Sequence, residues 1–159
     1  MRQAAFHLFL LVVAVQLPSN AFATDPSDLG RLRAEGACPA CDLGGADLAR
    51  AELDGADLSG ANLRRANMRE SRLGRANLSK ADLAGANLMR VNLTSADLSG
   101  ADLSGAFFVE ADLWRANLKG ARINGAFLGQ ANGLQQGQLN QACGDEATEL
   151  PAGFIVRYC

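Results

Sequence analysis

The fold is decided by a run of five-residue units that includes ADLSG-ANLRR-ANMRE at residues 56–70. Eighteen such units follow one another without an insertion from Cys41 to Gln130. The first position is alanine in fifteen units, the third is leucine in fifteen, and the second is Asp, Asn or Glu in fourteen. Self-similarity at a fixed period is the signature of a repeat architecture, so this repetition sets the fold.

A period of five fits neither a continuous helix nor a continuous strand. On an α-helix, successive leucines would be rotated by about 140° and would not share a face. On a strand, an odd period would send successive leucines to opposite faces. The chain must therefore turn once in every unit, which suits the Asp, Asn and Gly residues that recur in it.

These units resemble the pentapeptide-repeat family, whose pattern is written A(D/N)LXX; residues 56–60 and 96–100 match it directly. The resemblance implies an all-β fold, a right-handed quadrilateral β-helix with four units per coil. Residues 41–130 would then form about 4.5 coils stacked at ~4.8 Å. Alanine and leucine side chains would fill the narrow interior, and short segments at 24–40 and 131–159 would cap the ends.

The N-terminus predicts export, because residues 1–23 read as a signal peptide. Arg2 precedes an apolar stretch at 4–15, and Ala21-Phe22-Ala23 is an A-x-A cleavage site. The apolar stretch is shorter than the ~20 residues that span a bilayer. We therefore expect a periplasmic or extracellular protein with no transmembrane segment after cleavage; an uncleaved anchor or a buried strand is the alternative.

Two cysteines, Cys38 and Cys41, precede the repeat, and two, Cys143 and Cys159, follow it. Disulfides are expected in an oxidising compartment, and four cysteines permit three pairings. Proximity favours Cys38–Cys41 and Cys143–Cys159. The tail also resembles that of exported pentapeptide-repeat proteins, in which matching cysteines fasten a cap. The CPAC motif at 38–41 leaves a thiol-redox or metal-linked role open.

Residues twenty apart should stack on one side of a four-unit coil, which exposes two surfaces of interest. One is apolar and is named here the apolar surface: Met89, Phe107, Val109 and Phe127. It marks a contact site unless the C-terminal tail covers it. The other is a ring around the second coil, named here the basic band: Arg64, Arg65, Arg69, Arg72, Arg75 and Lys80. The basic band is either a solvated surface or a site for an anionic polymer or lipid head groups.

The capping segments carry weaker signals. Residues 28–37 predict a short turn of helix before the first coil. Residues 134–142 predict a short helix that lays Leu134 and Leu139 on the last coil, although Gly137 weakens it. Trp114 falls in an outward position below Thr94 and is a further candidate contact residue.

Catalysis is not predicted. The single histidine, His7, lies in the signal peptide, so Ser-His and Cys-His pairs are impossible in the mature chain. The sequence contains no phosphate-binding loop and no calcium-binding nonapeptide pattern, and we expect no cofactor or metal.

Charge separates this chain from the best-known relatives that the resemblance suggests, which mimic DNA and bind gyrase. Such mimicry requires an acidic rod, whereas residues 41–130 hold eleven acidic and eleven basic side chains. We therefore expect neither gyrase nor DNA as a partner. The prediction is a non-enzymatic, exported binding or scaffold module whose partner is an unidentified protein or envelope component.

Overall fold

The computed structural model of the chain describes residues 26–159, in which two short helices flank a stack of four-sided coils. The predicted signal peptide at 1–23 lies outside the described residues. Within residues 26–159, no helix has both the length and the apolar character needed to cross a membrane.

Each five-residue unit turns the chain through one corner of a coil. In the unit that begins at Ala46, the turn is closed by the next residue, Ala51, whose N–H donates to the carbonyl of Leu48 at 3.1 Å. The fifth residue, Arg50, has a left-handed φ of 59°. The N–H of Leu48 itself donates to Asn67 in the next coil at 2.7 Å. A unit therefore makes its own turn and also pairs with the next coil.

Four ladders of parallel bridges join residues twenty apart, so each coil has four sides of one unit each. The ladders pass through the second position of the units. They run through residues 37–117, 42–122, 47–127 and 52–132 in steps of twenty. Each contact is an isolated bridge, and no continuous strand forms within the described part of the chain.

The core is a column of leucine and alanine side chains from the third and first positions. Phe108 takes a leucine position and is fully buried. Ser71 takes an alanine position, and its hydroxyl donates to the carbonyl of Met68 at 2.6 Å, which satisfies the buried polar group. The small alanines leave the width that the leucines need.

Helix α1, Pro26–Glu35, covers the first coil. Its Leu29 and Leu32 are buried against the core. The Asp28 carboxylate accepts a hydrogen bond from the Asp42 N–H at 2.8 Å. The helix thus shields the open end of the core and satisfies a backbone donor there.

Helix α2, Gln136–Leu139, is shorter than the predicted 134–142. It begins late because Gln135 is extended, with φ −125° and ψ 148°, and serves as the N-cap. Leu134 and Leu139 are nevertheless buried on the last coil. The tail then continues the stack, since Cys143 pairs with Arg122, Glu149 with Phe127 and Tyr158 with Gly144.

Candidate functional site

The apolar surface arises where a ladder of amides gives way to aromatic rings. On this side of the rod, Asn67 donates to Asp47 at 2.9 Å and Asn87 donates to Asn67 at 3.3 Å. The next two rungs are Phe107 and Phe127, whose rings stack with centroids 4.8 Å apart and 5° between their planes. The backbone bridge between Phe107 and Phe127 sets the spacing at which the two rings stack.

The apolar surface is open to solvent at its centre. Phe107 is 41% exposed, whereas Met89, Val109 and Phe127 are half-buried. A depression of about 140 Å³ lies beside the rings, between Val109 and Glu149. Phe107 is thus the exposed centre of a cluster of apolar side chains that is otherwise half-buried.

The C-terminal tail borders the apolar surface and does not cover Phe107. The N–H of Leu128 donates to the carbonyl of Glu149 at 2.8 Å, so Glu149 forms the next rung after Phe127. Its exposed side chain brings a carboxylate to the rim of the depression. Sequence reasoning missed Glu149 because the tail follows no five-residue period.

Half of the basic band is paired with carboxylates. Arg64 contacts Asp82 at 3.0 Å, and Arg69 contacts Glu70 at 3.0 Å. Arg72 reaches two acidic residues of the preceding coil, at 3.2 and 2.8 Å: Glu52 and Asp54. Three members make no ion pair within residues 26–159: Arg65, Arg75 and Lys80. These three lie at different corners, so the band does not form one site.

A second charged feature, not predicted from the sequence, runs along one corner of the rod. The column alternates in sign through Arg50, Glu70, Arg90 and Glu110, and its contacts are 2.9, 3.8 and 2.8 Å. Hydrogen bonds from Arg50 and then Arg69 lower the pKa of Glu70. We name it the charge ladder; it ties four successive coils together.

The N-terminal cysteines form a buried disulfide, Cys38–Cys41. The guanidinium of Arg31 contacts the sulfur of Cys41 and lies 3.6 Å from that of Cys38. The Asp28 carboxylate completes a group whose ligand atoms lie within 4.8 Å of one another. Sulfurs bonded to each other are not available as thiolate ligands or nucleophiles.

The second disulfide, Cys143–Cys159, fastens the tail to the last rungs. Within the described residues no cysteine is free. The two bridges lie at opposite ends of the stack, as the positions of the four cysteines on either side of the repeat require.

The other carboxylates with shifted pKa values serve the backbone turns. The pKa of Asp57 is lowered by hydrogen bonds from the Ser59 hydroxyl and N–H. Burial tends to raise the pKa of Asp102, but hydrogen bonds from Ser104 outweigh it and the pKa is lowered. The Gly125 N–H lowers the pKa of Asp145. These shifts move away from neutral pH, the opposite of what a general acid needs.

The chain matches the family model for pentapeptide repeats in eight copies, over residues 40–70, 71–108 and 96–132. No match is found among curated proteins.

Solved structures with a similar fold include those of Rfr23 and QnrB1. Rfr23, a pentapeptide repeat protein from the cyanobacterium Cyanothece 51142, aligns at 32% identity and a TM-score of 0.69, over 78% of this chain and 97% of Rfr23. QnrB1, a plasmid-mediated fluoroquinolone resistance protein, aligns at 20% identity and a TM-score of 0.52, over 67% of this chain and 55% of QnrB1. The second likeness shows a shared fold alone.

Proposed function

Because this chain belongs to the pentapeptide repeat family, whose members form right-handed quadrilateral β-helices with a scaffold-like role, we propose that it is a non-enzymatic protein-binding module. The apolar surface of Met89, Phe107, Val109 and Phe127 is the contact site. The observation that carries this proposal is the stacked pair of rings, with Phe107 exposed, at positions where most units have Asp, Asn or Glu.

Exposing the two rings on this side of the rod costs free energy. In the same ladder, Asn67 and Asn87 make side-chain hydrogen bonds between coils. Phe107 and Phe127 forgo those bonds and leave apolar area in water, which costs about 25 cal/mol for each Å² that a partner could bury. Aromatic side chains are enriched at the energetic centres of protein interfaces.

The proposed site of action is outside the cytoplasm. The support is the order of charged, apolar and A-x-A segments within residues 1–23, together with four cysteines that pair as disulfides. We assign residues 24–40 to the N-terminal cap, 41–130 to about 4.5 coils and 131–159 to the C-terminal cap. The partner is a protein or another envelope component, and neither gyrase nor DNA is expected.

The thiol-redox alternative for Cys38 and Cys41 has less support. Both cysteines are at most 1% exposed beneath helix α1. A disulfide that exchanges with another thiol needs a sulfur that the attacking thiolate can reach. Burial therefore favours a structural staple.

The experiment compares capture of envelope components by immobilised native protein and by an F107N/F127N variant. Asparagine at both positions would extend the existing Asn67–Asn87 ladder, so the fold should be kept while the rings are lost. The control is I155N, which removes an apolar side chain that is 73% exposed on the cap. We expect one partner to be retained by the native protein and by I155N and lost by F107N/F127N. Equal retention by the double variant would contradict the proposal, as would a lower melting temperature with binding unchanged.

A further inference from the structure

A notch of about 360 Å³ opens on the side of the rod whose ladder runs through residues 52–132. It exists because Gly74 has no side chain between Asp54 and Thr94, which occupy the same position of the unit one coil before and one coil after. Its volume lies within the roughly 300–1,000 Å³ typical of small-molecule sites. It does not touch the apolar surface, which lies on another side.

The acceptors in the notch are already used. One oxygen of Asp54 accepts the Gly74 N–H at 2.8 Å, and the other contacts Arg72 at 2.8 Å. Arg72 is held in addition by Glu52 at 3.2 Å. Both oxygens of Asp54 and one oxygen of Glu52 therefore have partners within this group of charges.

The side-chain groups that remain are donors. In the other ladders, asparagine amides donate to the residue twenty before, as Asn62 does to Asp42 at 2.8 Å. The residue twenty before Asn92 is Arg72, which has no side-chain acceptor. The Asn92 amide nitrogen and the Thr94 hydroxyl therefore donate to no described residue, and Arg75 makes no ion pair within residues 26–159.

An exposed indole lies one coil beyond the notch, at the same position of the repeat unit as Thr94, and is not part of the notch lining. Trp114 lies one coil after Thr94 and is 48% exposed. Its backbone is fixed, since its N–H donates to Asp112 at 2.9 Å and its carbonyl accepts from Ser95 at 2.8 Å. The register thus makes Trp114 the next residue after Thr94 along this side of the rod.

We propose that this notch and Trp114 bind an acidic oligosaccharide. A uronate carboxylate would lie on Arg75, Asn92 and Thr94, because a guanidinium fork matches the geometry of a carboxylate. The neighbouring sugar would place the C–H face of its ring on the indole. The coil spacing of ~4.8 Å is close to the length of one sugar unit in an extended chain, so adjacent units meet adjacent rungs.

A nucleic acid fits the same surface less well. Single-stranded nucleic acids are bound by grooves with a marked excess of positive charge. The four units that form this side of the rod, at 51–55, 71–75, 91–95 and 111–115, carry three acidic and three basic side chains. A single carboxylate beside a neutral ring suits this balance better than a continuous run of phosphates.

The experiment uses the fact that Trp114 is the only tryptophan of the chain. Its fluorescence is followed while oligogalacturonate is added, and the fully methyl-esterified oligomer, inorganic phosphate and oligothymidylate serve as comparison ligands. We expect a saturable change with oligogalacturonate. R75Q and N92D should weaken that binding by about tenfold or more, as expected for loss of hydrogen bonds to a charged group.

The matched control is K80Q, which removes an exposed cation that makes no ion pair within residues 26–159 and occupies the same position of the next unit. It should bind like the native protein, and all three variants should keep the native melting temperature. Equal binding of the methyl ester would overturn the carboxylate assignment. Tighter binding of oligothymidylate would identify a nucleic-acid surface instead, and saturation by phosphate alone would reduce the site to a simple anion site. No signal by fluorescence or calorimetry would remove the proposal.

Discussion

At the scale of single residues, the fifth position of nearly every unit adopts the left-handed backbone conformation, which strains any residue other than glycine. Ten described residues other than glycine have positive φ, among them Arg65 at 55° and Lys80 at 58°. For an L-residue, this conformation costs about 1–2 kcal/mol. It persists because the turn and the ladder hydrogen bonds on either side hold the residue in place.

Replacing Gly60 with alanine tests this cost directly. Gly60 has φ +65° and an added Cβ would meet nothing within 4 Å, so strain acts without a clash. We expect G60A to lower the free energy of unfolding by about 1 kcal/mol, as measured by chemical denaturation. The control is G30A, inside helix α1 and also in open space, which should stabilise by about 0.5–1 kcal/mol. If both variants change stability in the same direction, the strain argument fails.

At the scale of elements, the charge ladder of Arg50, Glu70, Arg90 and Glu110 joins coils on the outside of the rod. Individual exposed ion pairs contribute little. Glu70, however, contacts three guanidinium groups, those of Arg50, Arg69 and Arg90. Its removal would leave those cations facing one another.

The variant E70Q should therefore reverse the response of the melting temperature to salt. We expect added NaCl to lower the melting temperature of the native protein, because salt screens attraction. In E70Q, added NaCl should raise the melting temperature, because salt then screens repulsion among the arginines. The control E146Q removes an exposed carboxylate that makes no ion pair within residues 26–159, and it should follow the native slope. If the melting temperatures of E70Q and E146Q change with NaCl concentration at the same slope, the ion pairs of the charge ladder do not act together.

Acid should act on the charge ladder in the same sense as E70Q. The pKa of Glu70 is lowered in the folded protein, mainly by the Arg50 hydrogen bond. The stabilisation is therefore full above the ordinary Glu pKa of about 4.3. It is lost as the pH falls through the lower folded value.

Sequence reasoning predicted those features that depend only on the period. The leucines and alanines of the repeat lie inside, because a turn in every unit returns each of them to the core. It did not predict the stacking of Glu149 on Phe127, since a tail without a period has no register until it meets the last coil. The unpartnered amide of Asn92 could have been predicted, because an Arg twenty residues before an Asn is visible in the sequence once the coil is known to have four units.

At the scale of the whole molecule, each coil contacts only its neighbours, so stability is a sum of local terms along one axis. The two disulfides lie at the two ends of that axis. Cys143–Cys159 spans 16 residues and Cys38–Cys41 spans three. Loop entropy therefore gives the C-terminal bridge the larger effect.

Removing each bridge in turn should loosen only its own end. We expect C143A/C159A to cost about 3 kcal/mol and C38A/C41A about 2 kcal/mol. Hydrogen exchange should accelerate at Ile123 and Leu128 in the first variant and at Leu43 in the second. Acceleration at Leu43 after loss of the C-terminal bridge would show instead that the coils unfold as one unit.

The spacing of twenty residues between rungs also governs which changes in length the molecule can absorb. Loss or gain of one whole coil would shorten or lengthen the rod and leave every side in its original direction. Loss or gain of a single unit between Thr94 and Phe107 would instead shift all later residues to the neighbouring side of the rod. Everything beyond it, from the phenylalanine rings to the cap, would then point a right angle away from where it had been. Insertions and deletions thus offer this architecture a way to re-aim one surface against another without altering a single contact residue.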